Sequence, residues 1–232
     1  MPYDVLLFDL DDTLFDFEET EKHALGNTFN TFGLPNGLEA YRDTYRAISS
    51  VIWDDLEQGR ITIEELKVER FRRLFAHHEL QLDAAHFGEL YIENLGYESH
   101  LIDGVEDMMS KLTDYRLAIL TNGFTIAQHA RIAGSPLRNT FEAIIASEET
   151  GYKKPQPEIF DYTFKKLGVT DPSRVLMIGD SLTSDIQGGI NAGIDTCWFN
   201  PDRRENHTAI QPTYEIHSWA EFSAARSTVK NN

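Results

Sequence analysis

Val5-Leu6-Leu7-Phe8-Asp9-Leu10-Asp11-Asp12-Thr13-Leu14 is the stretch on which the fold turns. Four apolar residues in a row read as a buried strand. Asp9 then falls where the strand gives way to a loop, the edge at which open α/β sheets bind their ligands. Asp11 lies two residues on, and an extended backbone keeps both carboxylates on one side. Two carboxylates held that close repel each other, and one pKa rises unless a cation separates them. Mg²⁺ suits the task because it prefers a few carboxylates, a phosphate oxygen and waters. Asp and Thr are also common in turns at strand ends, so the stretch needs partners elsewhere in the chain.

Composition narrows the classes. A chain of 232 residues, 41% of them hydrophobic, can hold one α/β domain with a sizeable insertion or two small domains. No apolar run approaches the length of a membrane span, and Asp4 and Asp9 interrupt the amino-terminal segment. A signal peptide is therefore not expected, and the expected compartment is the cytosol. Cys197 is the single cysteine, which excludes an internal disulfide and fits a reducing environment. The net charge of −17 argues against a nucleic-acid polymer or an anionic membrane as partner. The same charge repels any small phosphorylated metabolite, so a site for one must reverse the sign locally with a cation and a Lys. The residues carry no signature of an oligomeric state.

Between residues 16 and 100 the pattern turns helical. Phe17, His23, Leu25, Phe29, Tyr41, Tyr45, Ile48, Ile52, Leu56, Leu66, Phe71, Leu74 and Phe75 recur at three- and four-residue spacings. Thr62-Ile63-Glu64-Glu65 has the form of a capping box that opens a helix. The expectation is an inserted all-helical domain over 16–100, with the remainder, 1–15 and 101–232, forming a Rossmann-like parallel sheet with helices on both faces.

Four further strands are expected: Arg116–Leu120, Phe141–Ala146, Arg174–Ile178 and Asp195–Phe199. The first of these ends in Thr121-Asn122-Gly123, and a helix begins near Thr125. A hydroxyl and free N–H groups at that point can cradle a phosphate, although the tripeptide is also an ordinary turn. The second leads to Lys153-Lys154-Pro155, with a helix from Pro157 to Gly168. A Lys before Pro cannot join the helix, so its side chain can be aimed elsewhere. The third ends in Gly179-Asp180-Ser181-Leu182-Thr183-Ser184-Asp185, where two carboxylates can converge from a loop and a helix start. Gly188 and Gly189 suit a helix packed closely on the sheet and stopped at Gly193. Cys197 is expected in the core, a last helix is capped by Ser218, and the tail from Arg226 is polar and expected to fray.

Asp9-x-Asp11-x-Thr13 resembles the first motif of the haloacid dehalogenase superfamily, most of whose members are Mg²⁺-dependent phosphatases. Thr121, Lys154-Pro155 and Gly179-Asp180-Ser181 with Asp185 resemble the second, third and fourth, in the family's order. The helical insertion resembles the superfamily's helical (C1) cap. The resemblance implies Asp9 as nucleophile and Asp11 as general acid/base, with Thr121, Asn122 and Lys154 on the phosphate. It further implies one Mg²⁺ on Asp9, Asp11 and Asp180, with Asp185 behind them, and Mn²⁺ as a possible substitute. Lys154 is preferred over Lys153 because the family's lysine directly precedes Pro. The dehalogenase branch lacks a carboxylate at the place of Asp11, so phosphoester chemistry is favoured here.

A narrower resemblance rests on Leu14-Phe15-Asp16-Phe17, Trp53-Asp54-Asp55, Thr121-Asn122-Gly123-Phe124-Thr125 and Gly188-Gly189-Ile190-Asn191-Ala192-Gly193. These look like the superfamily's pyrimidine 5′-nucleotidases, which implies a nucleoside monophosphate as substrate. The alternatives are a sugar-phosphate phosphatase, for example of the acylneuraminate-9-phosphate type, or a phosphomutase.

Overall fold

The computed structural model describes residues 2–222; the expected frayed tail from Arg226 lies outside them. The chain divides into two compact units: Met1–Asp16, His100–Thr125 and Ser135–Asn232 form one, and Phe17–Ser99 with Ile126–Gly134 form the other.

The first unit is built on a six-stranded sheet whose paired neighbours are all parallel. The strands are β1 (Val5–Phe8), β2 (Arg116–Thr121), β3 (Ala143–Ala146), β4 (Val175–Gly179), β5 (Asp195–Phe199) and β6 (Tyr214–Ile216), in the order β3-β2-β1-β4-β5-β6. β1 lies at the centre because its four residues are apolar and buried on both faces. Its register aligns Phe8 with Ile119 of β2 and Ile178 of β4. Asp9, Thr121 and Gly179-Asp180 are thereby brought out at one sheet edge. The order reverses between β1 and β4, where the loops leaving the two strands diverge and open a crevice.

Alternation along the strands sorts the core. Val5, Leu7, Ala118, Leu120, Val175 and Met177 pack with Ile159, Phe160 and Phe164 of the helix Pro157–Leu167. Phe8 points to the other face, where its ring meets Trp219 at 6.1 Å, and Trp219 stacks on Phe199 at 4.6 Å. Cys197 is buried, as its place in an apolar strand implies. β6 and the short helix Ser147–Thr150 were not expected from the sequence. Tyr214-Glu215-Ile216 carries one buried residue and acquires strand form by pairing with β5. β3 starts at Ala143, two residues later than its apolar pattern suggests.

The second unit contains α1 (Phe17–Thr31), α2 (Gly37–Glu57), α3 (Ile63–His77) and α4 (Ala84–Gly96), joined by nearly all of the helix Thr125–Ala133. Thr62 opens α3 with the expected capping box: its hydroxyl accepts from the Glu65 N–H at 3.2 Å, and its own N–H donates to the Glu65 carboxylate at 2.8 Å. Leu25, Phe29, Tyr45, Ile52, Leu66, Phe71, Leu74 and Phe75 are buried, and the rings of Phe71 and Phe87 meet at 4.7 Å. His23 departs from the expected stripe. Ala24 and Thr28 supply the inward face of α1, which turns His23 outward to Glu19. Among the described residues, no helix is long and apolar enough to cross a membrane.

The helix Gln187–Asn191 approaches the sheet through Gly189 and, contrary to the expectation that both glycines face the sheet, the helix Pro157–Leu167 through Gly188. A Cβ on Gly189 would lie 2.5 Å from Thr196 Cγ2, and one on Gly188 would lie 2.8 Å from the Phe160 ring. Gly189→Ala is therefore expected to cost about 1–3 kcal/mol by overpacking. Urea unfolding should show a lower midpoint at unchanged slope, and an unaltered midpoint would contradict this packing.

Candidate active site

At the end of β1 the Asp9 N–H donates to the Ile178 carbonyl at 2.9 Å, which extends the sheet by one residue and holds the side chain at its edge. Asp9 is only 8% exposed. The loop that follows folds back on itself: Asp12 takes a φ of 56°, its N–H donates to Phe15, and Asp11 bridges to Phe15. Asp11 is half-buried in that loop.

Lys154 arrives from the turn after β3 and is buried, whereas Lys153 is half-exposed. The Lys154 ammonium donates to Asp9 Oδ1 at 2.5 Å and to Asp185 Oδ1 at 2.6 Å. Burial alone would push the lysine down, but Asp185 and Asp9 more than offset it and hold the group above its ordinary range. Its charge is therefore retained. The other oxygen of Asp185 accepts from the Ser181 N–H at 3.0 Å, so both oxygens of this buried carboxylate are engaged. Asp185 is carried by a π-helical turn, Leu182–Ile186, that packs against Gly179. A Cβ at Gly179 would stand 2.2 Å from the Asp185 carboxyl carbon, so only glycine lets that carboxylate lie against the strand.

Asp180 is fixed through its main chain. Its carbonyl accepts from the Trp198 indole at 2.8 Å and from Arg204 at 2.8 Å, and Arg204 also reaches its carboxylate at 3.3 Å. Arg204 lies in the polar loop after β5, which carries no sequence signal for a role here. Its place depends on the buried Asn200, whose amide donates to the Arg204 carbonyl and accepts from its N–H.

The second motif stands alongside. Thr121 is buried and its hydroxyl accepts from the Gly123 N–H at 3.1 Å. The side chain of Asn122 turns toward Lys154 and Ser184.

Carboxylate oxygens of Asp9, Asp180 and Asp185 all lie within 4.8 Å of one another. Burial raises Asp9 well above the usual carboxylate range, and Asp185 and Asp180 add to the rise against the pull of Lys154. Asp180 is pushed up to about 7 by burial, with Asp185 and Asp12 contributing and Arg204 opposing. Hard oxygen donors at this separation, reluctant to ionise together, are the donor set a divalent cation of the Mg²⁺ type relieves. The residues therefore fit the metal.

The raised value at Asp180 has a consequence for stability. Between 3.8 and about 7 the unfolded chain has released this proton while the folded chain retains it, so metal-free stability falls as pH rises through that window. Asp180→Asn removes the penalty. Metal-free melting curves should place the variant above the parent at pH 8, with the gap closing toward pH 4. Mg²⁺ should raise the parent's midpoint more than the variant's. A gap independent of pH would contradict the assignment.

The model of the haloacid dehalogenase-like hydrolases matches residues 3–193. The pyrimidine 5′-nucleotidase PynA of Streptococcus pneumoniae is 40% identical over 224 residues, 96% of this chain and 94% of that protein. The pyrimidine 5′-nucleotidase YjjG of Escherichia coli is 34% identical over 96% of this chain and 97% of its own. A crystal structure of the HAD-hydrolase YfnB from Bacillus subtilis, described as bound to magnesium, superimposes with a TM-score of 0.89 at 38% identity, covering 96% of this chain and 98% of that one. The likeness spans both units and the strand-end residues described above, and the chain belongs to the haloacid dehalogenase-like hydrolases.

Proposed function

We propose that this hydrolase removes phosphate from pyrimidine nucleoside 5′-monophosphates through a phosphorylated Asp9. The observation that carries the reading is the Lys154 ammonium held between Asp9 and Asp185, with Asp180 beside them. Support for the substrate class comes from the two nucleotidases matched over nearly their whole length.

On this reading one oxygen of Asp9 attacks phosphorus in line and the ester oxygen leaves. Asp11 gives that oxygen its proton, then takes one from the water that hydrolyses the aspartyl-phosphate, which regenerates Asp9 and releases inorganic phosphate. Lys154, the Thr121 hydroxyl and the Asn122 main-chain N–H bind the equatorial oxygens, on which charge is spread in the transition state. Asp9, Asp180 and the Asp11 carbonyl would hold Mg²⁺, with Asp185 behind them. When bound, the ion neutralises phosphate charge as a Lewis acid, and Mn²⁺ suits the same oxygen donors. The helical unit is read as the counterpart of the superfamily's helical cap. With a single cysteine in the sequence, which fits a reducing compartment, a cytoplasmic enzyme is the setting proposed.

The test is Mg²⁺-dependent phosphate release from pyrimidine monophosphates, purine monophosphates and sugar phosphates in parallel. Pyrimidine monophosphates should lead in kcat/KM by about tenfold or more. Preference for a sugar phosphate would remove the nucleotidase assignment and keep the chemistry. Asp9→Asn should lose at least about four orders of magnitude in rate with an unchanged circular dichroism spectrum; undiminished release would sink the nucleophile assignment.

A further inference from the structure

Asn122 follows directly on β2, and its side-chain amide reaches across to the turn that carries Lys154. Its Nδ2 donates to the Lys154 carbonyl at 3.0 Å, and its Oδ1 accepts from the Lys154 N–H at 2.9 Å. A main-chain N–H can only donate and a main-chain carbonyl can only accept, so this closed pair sets which way the amide faces. The second N–H of Nδ2 donates to Ser184 Oγ at 3.2 Å, in the π-helical turn that carries Asp185. Both amide hydrogens are thereby engaged, and the side chain keeps no donor for a phosphate oxygen. The part proposed above for the Asn122 main-chain N–H uses a different atom.

Lys154 sits in a turn outside every strand and helix, just before Pro155, which offers no N–H. Its own N–H and carbonyl lack a ladder to support them, and Asn122 supplies a partner to each. Four rotatable bonds separate that main chain from an ammonium that must meet two carboxylates at once. We propose that the Asn122 side chain is a positioning residue for Lys154: it clamps the lysine main chain so that the ammonium falls between Asp9 and Asp185. The same amide ties the clamp to the Ser184 turn, so three separate loops share one anchor. Only the effect on rate rests on the phosphatase reading; the place of the ammonium does not.

Crystal structures of the parent and Asn122→Ala, compared at the Lys154 Nζ, test the clamp directly. The expected result is an ammonium displaced from hydrogen-bond distance of one or both carboxylates. An Nζ still bonded to both overturns the proposal. If the alanine variant does not fold, Asn122→Asp keeps the shape but replaces both donations with a charge facing the Lys154 carbonyl, and the same displacement is expected of it. The kinetic arm measures kcat/KM toward para-nitrophenyl phosphate for the parent, Asn122→Ala, Lys154→Met and the double variant. Asn122→Ala should lose about a hundredfold in the parent background and less than about threefold in the Lys154→Met background. Equal losses in both backgrounds would mean that Asn122 acts independently of the lysine side chain, and the proposal fails. A parent that turns over no phosphate ester would defeat the phosphatase reading, and the crystal structures would still decide the clamp.

Discussion

A buried ammonium shared between two buried carboxylates, Lys154 between Asp9 and Asp185, is the constraint on which the rest of the site depends. Taking three charges out of water costs several kcal/mol per ion unless each finds its opposite in good geometry. Removing one member leaves an uncompensated buried charge, a loss of about 3–5 kcal/mol in comparable cases. The surroundings therefore have to hold the three groups closely. β1 ends so that Asp9 stays bonded to the sheet through its N–H, Gly179 lets Asp185 lie flat against β4, and the Ser181 N–H takes the remaining Asp185 oxygen. Each of these three devices holds a charge in place at the end of the sheet.

That arrangement also answers the protein's overall charge. At −17 the molecule repels anions at long range, and salt screens such repulsion only beyond about 8–10 Å. Close to the sheet edge the balance changes. Lys154 and Arg204 each lean on a member of the acidic trio, and the trio itself invites a divalent cation. Acidic groups that are costly to hold together without a metal are the donors that would attract one. With such an ion counted, the local field would favour phosphate.

The helical unit follows different rules. Its core is aromatic, with Phe29, Phe71, Phe75, Phe87, Tyr45 and Tyr91 in ring contact, and the buried cation Arg70 sits among the rings. The Arg70 guanidinium lies 4.7 Å from the Tyr91 ring centre and 5.2 Å from that of Phe71, and donates to the Tyr45 hydroxyl at 3.3 Å. Aromatic faces stabilise a desolvated guanidinium by about 2 kcal/mol, which offsets part of its burial cost. A helical periodicity that counts only apolar positions passes over Arg70, because the charge sits at a position the stripe would assign to a hydrophobe.

Much of this molecule was legible in order along the chain. Apolar runs mark β1, β2, β4 and β5 because a strand buried on both faces needs no polar alternation, and the acidic and hydroxyl residues stand at the ends of β1, β2 and β4 because strand ends are where a parallel sheet exposes side chains, whereas Lys154 lies in a turn beyond β3 and was marked by the proline after it. The capping box at Thr62 and the close-packed glycines at 188 and 189 were equally local, since each depends on neighbours a few residues away or on the absence of a Cβ. Other features belong to tertiary structure alone. The register of three strands brings Asp9, Lys154 and Asp185 together across 145 and 31 residues of chain. β6 forms only because β5 offers it an edge. Arg204 reaches Asp180 because Asn200 bends the intervening loop. Asn122 turns its amide to a lysine main chain 32 residues away, where the local sequence offered a phosphate cradle or an ordinary turn. Residue type and local spacing determine what chemistry is available; which groups meet, and which are left with no hydrogen to give, is decided by distances that exist only after the chain has folded.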